Sequence, residues 1–153
     1  TVARLRDSGF EQYEISNWSR PGRACRHNLV YWRSENWLAF GPSASGHLDG
    51  TRWKVTPRLS EWLAATSSVP VVDVERLDDL TRTGERLMLE FRLVDGIEVG
   101  ELERLLEHFD PDGERRLAVV EGLRDGLLHE DAGRMKLTYA GRLLADTLLS
   151  RLV

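Results

Sequence analysis

Every tryptophan of this 153-residue chain lies between positions 18 and 62: Trp18, Trp32, Trp37, Trp53 and Trp62. The rest of the chain has none and is rich in leucine at helical spacing. The sequence therefore specifies two unlike halves, and no internal repeat relates them. The first half also collects Gly, Pro and Ser, which reads as short elements joined by shaped loops. Between the halves, Ala64-Ala65-Thr66-Ser67-Ser68-Val69-Pro70 reads as a helix end running into a linker.

In the first half, Val2 to Ser8 has the pattern of the last turns of a helix, with Gly9 placed as its left-handed C-terminal cap. Phe10-Glu11-Gln12-Tyr13-Glu14-Ile15-Ser16 alternates apolar and polar residues as a strand does. Helix, glycine turn and strand make one step of a wound α/β fold. Trp37-Leu38-Ala39-Phe40 reads as a second strand, followed by the small-residue loop Gly41 to Gly46, and Arg58 to Ala65 as a short helix.

The second half reads as helices. Thr81 is placed to cap a helix carrying Leu87, Met88 and Phe91. Leu102, Leu105, Leu106 and Phe109 form the stripe of a second helix, and Leu117, Val120 and Leu123 that of a third. Residues 127–137 form a small hairpin around Asp131-Ala132-Gly133-Arg134. Thr138 opens a last helix bearing Leu143, Leu144, Leu148 and Leu152. Three helices, a hairpin and a closing helix describe a winged-helix-like domain over 80–153, after a linker at 66–79 and an α/β unit at 1–65.

Apolar residues make up 41% of the chain and charged residues 30%, the profile of a globular protein. No apolar run approaches the ~20 residues of a membrane helix, and no basic-then-apolar start marks a secretory signal. Cys25 is the only cysteine, so an intramolecular disulfide is excluded and a reducing cytoplasm is the expected compartment. Residues 1–77 hold 10 basic and 8 acidic groups, a net +2, and residues 78–153 hold 11 basic and 17 acidic groups, a net −6. A nucleic-acid-binding winged helix is the reading this charge opposes, because an acidic half repels a phosphate backbone.

The densest chemistry lies in Tyr13-Glu14-Ile15-Ser16-Asn17-Trp18-Ser19-Arg20-Pro21-Gly22 and in Cys25-Arg26-His27-Asn28-Leu29-Val30-Tyr31-Trp32. If 27–32 is helical, His27 and Tyr31 share one face at i, i+4, and Asn28 and Trp32 share the next. An imidazole, an amide, a phenol and an indole together suit a large planar cofactor. The same spacing also suits a polar-aromatic cap that orients a loop, with Trp32 in the core, and spacing alone favours that reading.

The run "YEISNWSRPG…CRHNLVYW…NWLAFGPSA" resembles the radical-SAM proteins related to oxygen-independent coproporphyrinogen III oxidase. Its His-Asn-x-x-Tyr-Trp segment is similar to the signature of their heme-chaperone branch. The likeness is close over residues 9–62 and looser through "LMLEFRLVDGI" and "LTYAGRLLADTLL". It implies the C-terminal part of a partial, TIM-like α/β barrel, followed by the winged-helix-like domain. It also implies a heme site at His27, Asn28, Tyr31 and Trp32, with His27 the axial ligand and Cys25 a weaker alternative. Gly41, Ser43 and Ala44 are implied to lie near S-adenosylmethionine. The chain departs from the pattern in Ala44-Ser45-Gly46-His47, where the family has Gly-x-x-Ala-His-Ser, and in Arg52-Trp53-Lys54-Val55-Thr56, where an Asn is common. Those departures leave His47 read as an ordinary loop histidine.

The resemblance implies a [4Fe–4S] cluster in the full-length parent, held by three closely spaced cysteines that a chain with one cysteine lacks. Radical-SAM activity is therefore not expected of residues 1–153 alone. The expected function is that of a heme chaperone-like fragment, whose partners are heme and a heme-acceptor or membrane respiratory protein. A fragment of a porphyrin-pathway oxidase is the alternative.

Overall fold

The computed structural model describes all 153 residues. Helix α1 (Val2–Asp7) ends at Gly9, whose φ of +78° turns the chain into strand β1 (Glu11–Glu14). Strand β1 pairs antiparallel with β2 (Asn17–Ser19), and helix α2 (Arg26–Trp32) follows. Strands β3 (Ser45–Leu48) and β4 (Thr51–Val55) form a hairpin around Asp49 and Gly50, both with positive φ (48° and 79°). Asp-Gly is a strong signal for such a two-residue turn, because its twist matches that of the strands. Helix α3 (Leu59–Ala64) leads to β5 (Val71–Arg76), which completes a three-stranded sheet in the order β3-β4-β5. The stretch 66–79 thus contains a strand as well as a connection.

The first half is a mixed α/β arrangement of short helices beside open sheets. All its strand pairings are antiparallel and its two sheets are open. The connection between β1 and β2 is a tight hairpin, and a parallel pair would need a crossover of a dozen residues or more. The run 37–40 is not a strand: only Trp37 pairs, through an isolated bridge to His47. Leu38 and Phe40 are exposed, because no layer covers this run.

Helix α4 (Asp79–Arg92) opens the second half. Its cap is Asp78, whose carboxylate accepts from the Thr81 amide at 2.8 Å, and Thr81 itself lies inside the first turn. Strand β6 (Ile97–Glu98) and helices α5 (Val99–Phe109) and α6 (Glu114–Arg124) follow. The hairpin of β7 (Leu128–Asp131) and β8 (Arg134–Leu137) takes β6 on its free side, giving the order β6-β8-β7. The chain closes with α7 (Tyr139–Leu143) and α8 (Ala145–Leu149), two short helices broken at Leu144 where one was expected.

The main hydrophobic cluster lies in this half: Leu87, Phe91, Ile97, Leu102 and Leu152 are among its fully buried members, and Ile15 of the first half packs against it. Helix α6 presents an unexpected face. Ala118, Val119 and Gly122 are buried, while Leu117, Val120 and Leu123 face out. Close approach explains the choice: a Cβ at Gly122 would press on Leu128 and Leu148, so only small residues fit here. Leu143 and Leu144 are likewise exposed. No helix is long and apolar enough to cross a membrane.

The halves meet at the end of α4. The Ile15 amide donates to the Arg92 carbonyl at 3.1 Å, and the Val94 amide donates to the Tyr13 carbonyl at 3.1 Å. Glu14, fully buried, accepts from Arg92 Nε at 2.9 Å, from the Ser16 amide at 2.8 Å and from Asn17 Nδ2. A buried carboxylate needs such partners, since desolvation without them costs several kcal/mol (on the order of 3–5).

Candidate functional site

The β3-β4-β5 sheet organises the site through its register. Trp37 pairs with His47, His47 with Arg52, and Arg52 with Glu75. Directly opposed residues point to the same side of a sheet, so an indole, an imidazole, a guanidinium and a carboxylate form one transverse row. Ser45 and Lys54 make the neighbouring pair on that side. Helix α4, facing the row, contributes Arg82, Glu85 and Arg86, while α5 adds Arg104 and Phe109. The space between is a cavity of about 840 Å³, with Tyr31 and Trp37 on its aromatic side. Ligand sites commonly span roughly 300–1,000 Å³, so a molecule the size of a macrocycle is within reach.

Ion pairs brace the walls. Arg52 bonds Glu75 at 2.8 Å and Glu85 at 2.9 Å, tying the sheet to α4. The hydrogen bond to Glu75, reinforced by Glu85, raises the Arg52 pKa and keeps it charged. Arg86 bonds Glu90 at 2.7 Å and Glu101 at 2.6 Å, tying α4 to α5. Burial pulls its pKa down, but the two glutamates outweigh that and raise it. Glu101 also accepts from Arg104 at 2.6 Å. That bond is the main reason its pKa lies below the usual glutamate value. The cavity lining holds six cationic side chains against four carboxylates, an excess that favours an anionic guest.

Helix α2 divides the four expected heme residues between two faces. His27 and Tyr31 point outward, hydrogen-bonded at 3.0 Å through Nε2 and the phenol, with rings edge to face at 4.9 Å. Tyr31 packs against Trp37 at 4.8 Å, and Trp37 against His47 at 4.9 Å. These contacts make a continuous row, His27–Tyr31–Trp37–His47, running from the open surface into the cavity. Asn28 and Trp32 face the other way. Asn28 Nδ2 reaches Tyr13 Oη and Asn17 Oδ1, each at 3.4 Å, and Trp32 lies under the Arg92 guanidinium at 5.0 Å. The Trp32 indole N–H is buried without an acceptor. These two side chains fasten α2 to the Glu14–Arg92 seam.

Cys25 is exposed at the start of α2 and is the only thiol. A thiolate-held [4Fe–4S] cluster takes several cysteines, so the residues of this chain do not fit one, and no group of three or more His, Cys, Asp or Glu is placed to hold a metal ion. Gly41 (φ +90°) and Ser43 (φ +64°) shape a tight loop. Its amides are used locally: Ser43 donates to the Thr56 carbonyl and Ala44 to the Gly41 carbonyl, each at 3.3 Å. The loop lies outside the cavity lining. Sequence reasoning missed Trp37, His47, Arg52 and Lys54 as one surface. The Asp49-Gly50 turn, which sets their register, was the available signal.

No family model matches the chain. It is 39% identical over 153 residues to the heme chaperone HemW of Mycobacterium tuberculosis, covering 99% of this chain and 37% of that protein. It is 28% identical over 149 residues to the heme chaperone HemW of Bacillus subtilis, covering 95% of this chain and 38% of that protein. Radical S-adenosyl methionine domain-containing protein 1, mitochondrial, of Mus musculus is 30% identical over 162 residues, covering 97% of this chain and 36% of that protein. Among solved structures, the radical-SAM coproporphyrinogen III oxidase HemN of Escherichia coli matches with a TM-score of 0.68 at 14% identity, over 99% of this chain and 38% of that one. That likeness is one of fold. The chain spans a little over a third of the length of the curated relatives it matches. It is thus similar in sequence to HemW-type proteins over a part of their length, and similar in fold to a part of HemN.

Proposed function

We propose that this chain is the heme-holding portion of a heme chaperone-like radical-SAM protein, which carries heme to an acceptor. The observation that carries the reading is the aromatic row His27–Tyr31–Trp37–His47, which continues from α2 into a cation-rich cavity of about 840 Å³. A porphyrin presents a flat apolar face, a central metal and carboxylates. Aromatic rings, imidazoles and cations are their respective partners. In this reading His27 and Tyr31 touch the heme at the open rim, while Asn28 and Trp32 hold α2 in place.

The finer architecture belongs to the same proposal. Residues 1–65 would be the end of a radical-SAM barrel, and residues 80–153 an appended winged-helix-like domain with β7 and β8 as its wing. The full-length parent would hold the [4Fe–4S] cluster and S-adenosylmethionine, with Gly41, Ser43 and Ala44 the stretch of this chain nearest the latter. The cytoplasm is the proposed compartment, and a respiratory or other heme-acceptor protein the proposed recipient.

A hemin titration of the chain, followed by its Soret absorption, tests the proposal. The expected result is saturation near one heme per chain, with affinity weakened by His27→Ala. Absorption that tracks added hemin linearly, with no saturable component, overturns it.

A further inference from the structure

We infer that His47, rather than His27, is the residue whose imidazole ligates the iron of a porphyrin in the cavity, with Lys54 and Arg33 receiving the porphyrin carboxylates. This rests on the heme-binding reading above and assigns roles that reading leaves open.

The tautomer of His47 is the starting point. Its Nδ1 lies 3.1 Å from the Glu35 carbonyl oxygen, which can only accept, so Nδ1 carries the proton. In the neutral ring Nε2 then keeps its lone pair, and it has no hydrogen-bond partner. A metal-binding histidine usually donates the N–H on the far side of its ring to a backbone carbonyl or carboxylate in this way. His27 is set differently: its Nε2 is already bonded to the Tyr31 hydroxyl at 3.0 Å, so binding iron there means breaking that contact.

The ring of His47 is also held. It packs on Trp37 with planes tilted 37°, and the Trp37 indole N–H donates to the Ser45 carbonyl at 2.8 Å. Trp37 and His47 exchange backbone hydrogen bonds of 2.8 and 3.0 Å, which fixes both side chains on the cavity side of the sheet. Imidazole and indole are thus positioned before any guest arrives, which lowers the cost of binding.

The carboxylate anchors follow by elimination among the lining cations. Arg52, Arg86 and Arg104 each have a glutamate within 3 Å. Arg82 has a longer contact to Asp79 at 3.5 Å. Lys54 and Arg33 line the cavity with no ion-pair partner. Lys54 belongs to the pair that flanks His47 and Arg52, and Arg33 follows the last residue of α2. Two unpaired cations on one cavity match a dicarboxylate guest. Ligation would be a dative bond: Nε2 gives its lone pair to ferric iron, a water ligand leaves the metal, and the proton stays on Nδ1, donated to the Glu35 carbonyl.

Hemin and metal-free protoporphyrin IX, titrated in parallel into the chain and into His47→Ala, His27→Ala and Lys54→Gln, make the test. His47→Ala is expected to lose the nitrogen-ligated heme spectrum and about tenfold or more in hemin affinity, with protoporphyrin IX affinity changing little. Added imidazole should restore the ligated spectrum in His47→Ala, and His27→Ala should retain it. Lys54→Gln should weaken both porphyrins alike. A His47→Ala protein that keeps the ligated spectrum overturns the assignment and leaves heme binding intact. Equal loss of both porphyrins in His47→Ala also overturns it, since that marks a structural role. If the unmodified chain binds neither porphyrin saturably, the heme-binding reading itself fails.

Discussion

Replacing Arg92 by methionine removes the charge that faces the buried Glu14 while keeping much of the side-chain stem. Glu14 is 0% exposed and would be left with the Ser16 amide and Asn17 Nδ2 as its only donors. Breaking a buried pair from one side costs about 3–5 kcal/mol. The two remaining donors place this case near the lower end, about 3 kcal/mol. The lost stacking of the guanidinium on Trp32 adds about 0.5–1 kcal/mol. For a chain of this size each kcal/mol moves the melting temperature by about 2–4 °C, so a total of about 3.5–4 kcal/mol lowers it by roughly 7–16 °C. Glu14→Gln should cost less, about 1–2 kcal/mol, because the Arg92 side chain is 22% exposed and keeps both water and Trp32. Urea denaturation followed by tryptophan fluorescence and by far-ultraviolet circular dichroism measures both variants and their double mutant. The double mutant should be less destabilised than the sum of the single ones. An Arg92→Met cost below about 1 kcal/mol, or strict additivity, would refute the claim that this pair is the seam between the halves.

Three further outcomes follow from the packing and the charges. Gly141→Ala should destabilise by about 1–3 kcal/mol despite alanine's better helix propensity, because the new Cβ would strike the Leu127 carbonyl; thermal melting checks this. Val119→Ala should cost about 1 kcal/mol while Val120→Ala stays within about 0.5, since Val119 is buried and Val120 exposed; paired denaturation curves decide it. Arg104 holds the Glu101 pKa below its ordinary 4.5, so the contribution of Glu101 to stability is present above that value and is lost as the pH falls through its lowered pKa. Glu101→Gln should therefore flatten the acid side of the stability profile, measured as melting temperature against pH.

Much of the second half was legible because its helices bury faces that their periodicity announces: Leu102, Leu105 and Leu106 lie where their spacing puts them. Helix α6 failed for a physical reason. Its apolar residues Leu117, Val120 and Leu123 share a stripe, but the approach of Leu128 and Leu148 admits only the small residues opposite. At the start of α4, both Asp78 and Thr81 are good caps by type, and only the contact from Asp78 to the Thr81 amide separates them. In the first half, alternation in 10–16 found β1 but not its antiparallel return, since Ile15 and Ser16 carry no strong turn signal. The His27–Tyr31 pairing followed from i, i+4 spacing. Asn28 and Trp32 were legible as a face but not as a face turned inward, because Arg92 lies 60 residues away from Trp32. His47 was hidden most completely: its role depends on a cross-strand partner, a backbone carbonyl and a facing helix, none of them adjacent in sequence.

Heme held in the cavity beside Trp37 and His47 would have its own spectral signature. The most direct measurement is the Soret spectrum of hemin titrated into the chain and into His47→Ala, with both proteins confirmed as folded by circular dichroism. If the cavity holds heme through His47, the spectrum is saturable and nitrogen-ligated, the substitution removes it and free imidazole restores it. A spectrum of unbound hemin at every ratio would contradict heme binding there.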